Sequence, residues 1–136
     1  MPDVVTSPSE TASRQKVAHA RISEPVLVKG RREFFKYRDL GVADASAGTM
    51  RAQVMMSSQG MSRPTGWHYH ECDGQFVYVL KGWAIFEYEG YGQHKLVAGS
   101  TVYQPPGIKH QEIDHSDDFE VLEITMPAEF ETATVE

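Results

Sequence analysis

The chain has 136 residues, 40% of them hydrophobic and 24% charged, enough for one domain that buries roughly two-thirds of its unfolded surface. Thirteen Lys and Arg against nineteen Asp and Glu give a net charge of −6, and the densest basic stretch, Lys29-Gly30-Arg31-Arg32, is short. Without a basic face, nucleic acid and anionic membrane surfaces are excluded as partners. A single cysteine, Cys72, the lack of an apolar run long enough to cross a bilayer and the lack of a secretory leader predict a cytoplasmic protein.

Residues 1–22 are rich in Ser, Thr, Glu and Pro, and bury too little apolar surface to offset their ordering entropy. They are expected to form a flexible N-terminal arm, disordered or bound to a partner, ahead of a domain over residues 23–136. From Pro25 onward, runs of four to eight β-branched and aromatic residues follow one another: "PVLVKG", "EFFKYRDLG", "TMRAQVMM", "QFVYVLKG", "WAIFEYEG", "HKLVAG", "STVYQPPG", "FEVLEIT". Turn residues separate them every 8 to 12 positions, which predicts an all-β sandwich or barrel. Glu89-Gly90-Tyr91-Gly92 reads as a hairpin connection. No segment carries a sustained helical period, and the C-terminal "PAEFETATVE" reads as one turn or a frayed tail.

The stretch "GWHYHECDGQFVYVLKG", residues 66–82, places two histidines two positions apart at the start of a strand. Side chains at i and i+2 share a face, so His68 and His70 point one way while Tyr69 and Glu71 point the other. Gln75 lies five residues further on. Pro106-Gly107 fits the central positions of a type II turn that leads into a new strand with His110 as its third residue. Three imidazoles and a nearby oxygen donor make a four-ligand site for one divalent metal such as Fe, Mn, Ni, Co or Zn. Glu71 and Asp73 are rival oxygen donors, but parity turns Glu71 away and Asp73 reads as loop. Cys72 reads as a small hydrophobe, and His94 and His115 as solvated.

Acid–base chemistry beside such a metal needs a proton-carrying side chain inside the barrel. A regular strand puts Glu112 on the face of His110. Glu123 shares a face with Phe119 and Val121, although Leu122 and Ile124 compete for the inside. Tyr103 offers a phenol. These three are the candidate catalytic residues; Trp67, Trp83, Phe76 and Tyr78 read as packing.

Two segments together resemble the cupin superfamily. Its first motif ends with H-x-H, three or four residues, Glu, six residues and Gly; here the same spacing joins His68, His70, Gln75 and Gly82. Its second runs Gly, five residues, P-x-G, two residues, His, three residues and Asn; here it joins Gly99, Pro105, Gly107, His110 and Asp114. Gln75 stands in for the usual Glu, Asp114 for Asn, and Ser62 for an earlier Gly. A His-His-Gln-His set is neutral, so the metal keeps its full charge and is held less tightly.

The resemblance implies a double-stranded β-helix, a jelly-roll barrel, holding one divalent metal. It implies dioxygenase-like, lyase or decarboxylase, or isomerase chemistry on a small oxygen-bearing molecule chelated at the metal, with oxygenase-type chemistry first. A small-ligand binding or sensing barrel without turnover is the alternative, and a metal that only staples the barrel a third reading. Cupins pair commonly, and the strand-prone "PVLVKGRREFF" would otherwise leave an open edge, so a homodimer is expected.

Overall fold

The computed structural model describes residues 14–29 and 35–135. The expected N-terminal arm lies outside them over residues 1–13, as do Gly30, Arg31 and Arg32 of the basic stretch. In the described part of that arm, the Lys16 backbone N–H donates to the Ala45 carbonyl at 2.9 Å. Its Nζ pairs with Asp44 at 2.8 Å on the surface.

The predicted all-β architecture is present as two antiparallel sheets facing each other. One has strand order β1 (Val26–Lys29), β2 (Phe35–Asp39), β3 (Arg51–Ser57), β10 (Glu120–Met126), β5 (Gly74–Lys81) and β8 (Thr101–Gln104). The other has β11 (Thr132–Thr134), β4 (His68–His70), β9 (His110–His115), β6 (Trp83–Tyr88) and β7 (Gly92–Val97). Sequence neighbours fall in different sheets at several steps, which is the jelly-roll arrangement. One helical turn, α1 (Val42–Ala45), was not foreseen. The C-terminal segment is neither a turn nor a frayed tail, because β11 pairs with β4 through Thr132–His70 and Thr134–His68. Among the described residues no helix is long and apolar enough to cross a membrane.

Alternation decides the faces. In β5, Gln75, Val77 and Val79 are buried while Phe76, Tyr78 and Leu80 are exposed. The strands are in register, so inward residues form rungs across the sheet. Met55, Val121 and Val79 make an apolar rung, Gln53, Glu123 and Val77 a mixed one, and Arg51, Thr125, Gln75 and Gln104 a polar one. The apolar rung joins Phe35, Ala84, Leu96 and Phe119 in the core. Each large side chain buried there is worth about 1.5–3 kcal/mol over its exposed state.

Turns behave as their residues require. Ile108 N–H bonds the Pro105 carbonyl at 3.3 Å, and Gly107 sits at φ +70°, closing the turn before His110. Gly82 sits at φ +74°, where a Cβ would collide with Ser116 Oγ and stand 2.8 Å from Asp118 Oδ1.

One irregularity matters for the site strand. Phe86 pairs with Glu112, but Ile85 pairs with Asp114, so β9 carries one extra residue, Ile113. Such a bulge resets the alternation. His115, expected to be solvated, is therefore turned inward and 2% exposed, tilted against Phe35 at 5.4 Å and stacked on Phe119 at 5.5 Å between ring centroids.

Candidate metal centre

His68 and His70 lie on the same face of β4, and His68 is directly opposite His110 on β9. Their rings converge: centroids are 4.4 Å apart for His68–His110, 5.1 Å for His70–His110 and 5.2 Å for His68–His70. One ring nitrogen from each lies within 4.8 Å of the others, a cluster able to hold a metal ion.

Nδ1 of each ring is already engaged. His68 Nδ1 donates to the Gly66 carbonyl at 3.0 Å and His110 Nδ1 to the Ile108 carbonyl at 3.0 Å. His70 Nδ1 meets Thr132 Oγ1 at 2.8 Å. A carbonyl can only accept, so His68 and His110 carry a proton on Nδ1, which leaves Nε2 as the nitrogen each would offer a metal. This is the way metal-binding imidazoles are oriented.

The histidines open onto a cavity of about 760 Å³ between the sheets, which Gln75, Gln104, Glu112, Glu123 and Thr125 also line. Gln75 is 9% exposed, and its Oε1 is buried with no hydrogen-bond partner. Three convergent imidazoles and, on the same cavity lining, an amide oxygen left without a partner are donors of the type a divalent cation takes, so these residues fit the metal. Fe, Mn, Ni and Zn all accept such N/O ligands.

Of the candidate acids and bases, Glu112 and Glu123 both line the cavity. The bulge lies beyond Glu112 and leaves its parity with His110 intact, and its Oε1 is shielded from solvent. Val121, Glu123 and Thr125 take the inside of β10, leaving Leu122 and Ile124 on the outer face. Glu123 accepts a long hydrogen bond from Gln53 Nε2 at 3.4 Å. Tyr103 is a correction: it is 57% exposed, and its phenol lies over the Gly74 backbone on the outer face. Strand β8 turns Val102 and Gln104 inward instead. The rivals Glu71 and Asp73 are exposed, as is His94, while Cys72 is buried.

Two polar residues escaped the sequence reading. Gln104 is 4% exposed, lies directly opposite Gln75, and donates from Nε2 to Tyr88 Oη at 3.0 Å. Tyr88 packs 5.7 Å from the His110 ring, and burial pushes its phenol up to about 12. The Gln104 hydrogen bond opposes that rise, while the Glu112 charge adds to it. Among the described residues Arg51 is the one Lys or Arg in the lining, and it is held by Glu129 at 2.5 Å and by the Ala128 carbonyl at 3.2 Å.

The family described as Cupin domain matches residues 54–125. No curated protein sequence matches the chain. Solved structures match over most of it. KdgF from Halomonas sp. aligns with TM-score 0.67 at 19% identity, covering 82% of this chain and 96% of that one. The polyketide cyclase RemF from Streptomyces resistomycificus aligns with TM-score 0.69 at 17% identity, covering 89% and 87%. A variant of Bacillus subtilis oxalate decarboxylase aligns with TM-score 0.62 at 15% identity, covering 90% of this chain and 34% of that one.

Proposed function

The chain belongs to the cupin family, its match extending over residues 54–125, and on that premise we propose a metal-dependent enzyme acting on a small oxygen-bearing organic molecule. The observations that carry the proposal are three imidazoles clustered with ring nitrogens within 4.8 Å of one another and, on the same cavity lining, the buried amide oxygen of Gln75. His68, His70, His110 and Gln75 would hold one Fe, Mn, Ni or Zn ion. When bound, the metal polarises a substrate oxygen and stabilises negative charge developing there.

The chain's own residues supply the rest. Glu123 and Glu112 face the cavity and serve as proton acceptor and donor. Buried Phe119 and Val121 give the cavity an apolar stretch of wall. Dioxygenase-like, lyase or decarboxylase, and isomerase reactions all use these parts. The same fold carries proteins named as a decarboxylase and a cyclase. Two carboxylates on the same cavity lining as the imidazoles supply the proton acceptor and donor that turnover needs, and their placement favours the enzyme over a barrel that only binds. The proposal includes a homodimer: β1 ends its sheet, with Val26, Leu27 and Val28 exposed by 60%, 52% and 50%.

The test is a substrate screen on metal-loaded chain, following oxygen uptake and product formation by nuclear magnetic resonance with hydroxy acids, enediols and catechols. Turnover lost in Glu123→Gln or Glu112→Gln, with metal content unchanged, supports the enzyme. Saturable binding without turnover of any compound supports the binding barrel.

A further inference from the structure

The polar rung across the six-stranded sheet holds more unsatisfied oxygen than the metal ligands require. Thr125, Gln75 and Gln104 sit side by side on β10, β5 and β8. Each contributes a buried oxygen with no hydrogen-bond partner: Thr125 Oγ1, Gln75 Oε1 and Gln104 Oε1. Gln104 and Thr125 are each 4% exposed. A buried polar group without a partner is costly and rare, so three on one rung mark a surface built to receive something. All three face the cavity that the histidines line.

The chemistry of the rung states what it receives. Gln75 would be taken by the metal. Gln104 Nε2 donates to Tyr88 Oη, and the Oε1 it turns to the cavity is an amide oxygen, which only accepts. The Thr125 hydroxyl both accepts and donates. Glu112, Glu123 and Asp39 add further acceptors, while the guanidinium of Arg51 is engaged by Glu129. A wall that sets Gln104 Oε1, Thr125 Oγ1 and three carboxylates against a single, already engaged cation matches a ligand rich in hydroxyl donors. A polyanion would meet three carboxylates without a free counter-charge.

We propose that Gln104 and Thr125 select the substrate by accepting hydrogen bonds from hydroxyl groups outside its metal-binding end, so that the pocket takes polyhydroxylated small molecules. This rests on the metal-centre reading above.

The test compares D-gluconate with 2-hydroxyhexanoate on zinc-loaded chain by titration calorimetry. Both have six carbons, a carboxylate and an α-hydroxyl; only gluconate carries the four outer hydroxyls. The wild type is expected to bind gluconate at least tenfold more tightly. Gln104→Met and Thr125→Val each remove most of that preference, leaving 2-hydroxyhexanoate affinity and zinc content unchanged, and Thr125→Ser keeps it. Thr125→Val, nearly isosteric, keeps the test open where Gln104→Met fails to fold. Equal affinities in the wild type, or a preference that survives both substitutions, overturn the proposal and assign the rung to buried water. Loss of zinc in either variant also overturns it, by moving that oxygen into the metal's own coordination. A wild type that takes up no zinc sinks the metal centre itself, whereas zinc uptake with equal affinities sinks this inference alone.

Discussion

Replacing Gln75 by Glu changes one charge at nearly constant volume, in a side chain only 9% exposed. In metal-free protein the new carboxylate is buried and loses hydration, which raises its pKa. Burial that lifts it from about 4.3 to about 7 corresponds to roughly 4 kcal/mol of destabilisation. The folded-state pKa then lies above the unfolded value of about 4.3, so by linkage the penalty is absent below about pH 4. It grows as pH rises and is complete above about pH 7. At pH 7.5 the metal-free variant should melt about 15 °C below the wild type. With zinc the sign reverses, because the carboxylate now faces a dication and its pKa falls below the unfolded value. The variant should then bind zinc at least tenfold more tightly and recover most of the lost melting temperature. Scanning calorimetry between pH 4 and 8, with chelator or with zinc, measures both arms. A Gln75→Glu variant as stable as the wild type without metal, and no tighter with it, would refute the reasoning by showing that this side chain neither sits in a dry site nor reaches a cation.

Phe119 has no exposed surface, and Phe119→Ala should cost about 3–5 kcal/mol in urea unfolding, with the zinc stoichiometry of the remaining folded protein unchanged. Gly82→Ala forces a Cβ at φ +74° against Ser116 and Asp118, and should cost about 2–4 kcal/mol by the same measurement. Tyr88, raised to about 12 from an unfolded value of about 10, stays neutral in the folded state where the unfolded chain ionises. Its contribution is therefore full below pH 10 and is lost between pH 10 and 12. Ultraviolet titration of metal-free protein should lose one late-titrating phenol in Tyr88→Phe, and the alkaline unfolding midpoint should rise.

The site was legible in the sequence where a period of two applied without interruption. His68 and His70 share a face by parity alone, the Pro106-Gly107 turn sets the start of β9, and Glu112 follows His110 before any irregularity. The reading of His115 as part of an Asp-rich, solvated loop fails just beyond: β9 runs on to His115, and Ile113, the extra residue of a bulge that no composition signal marks, turns it into the core. Strand β8 failed for a different reason. In "TVYQ" the aromatic residue is the expected inward one, yet Tyr103 covers Gly74 from outside, where the missing side chain leaves room for its ring. Gln104 then takes the inside, a placement visible only once its register against Gln75 is known. Residues Thr132–Thr134 became a strand because β4 offers an open edge, a tertiary cause that local propensity does not express.

The central claim is that His68, His70, His110 and Gln75 hold one divalent metal. Its most direct test is elemental analysis by mass spectrometry of gently purified protein beside His68→Ala and His110→Ala, each checked for folding by circular dichroism. Close to one Fe, Mn, Ni or Zn per wild-type chain is expected, and almost none in either folded variant. Wild-type protein that carries no metal and takes none up on titration, or variants that keep it, would contradict the claim.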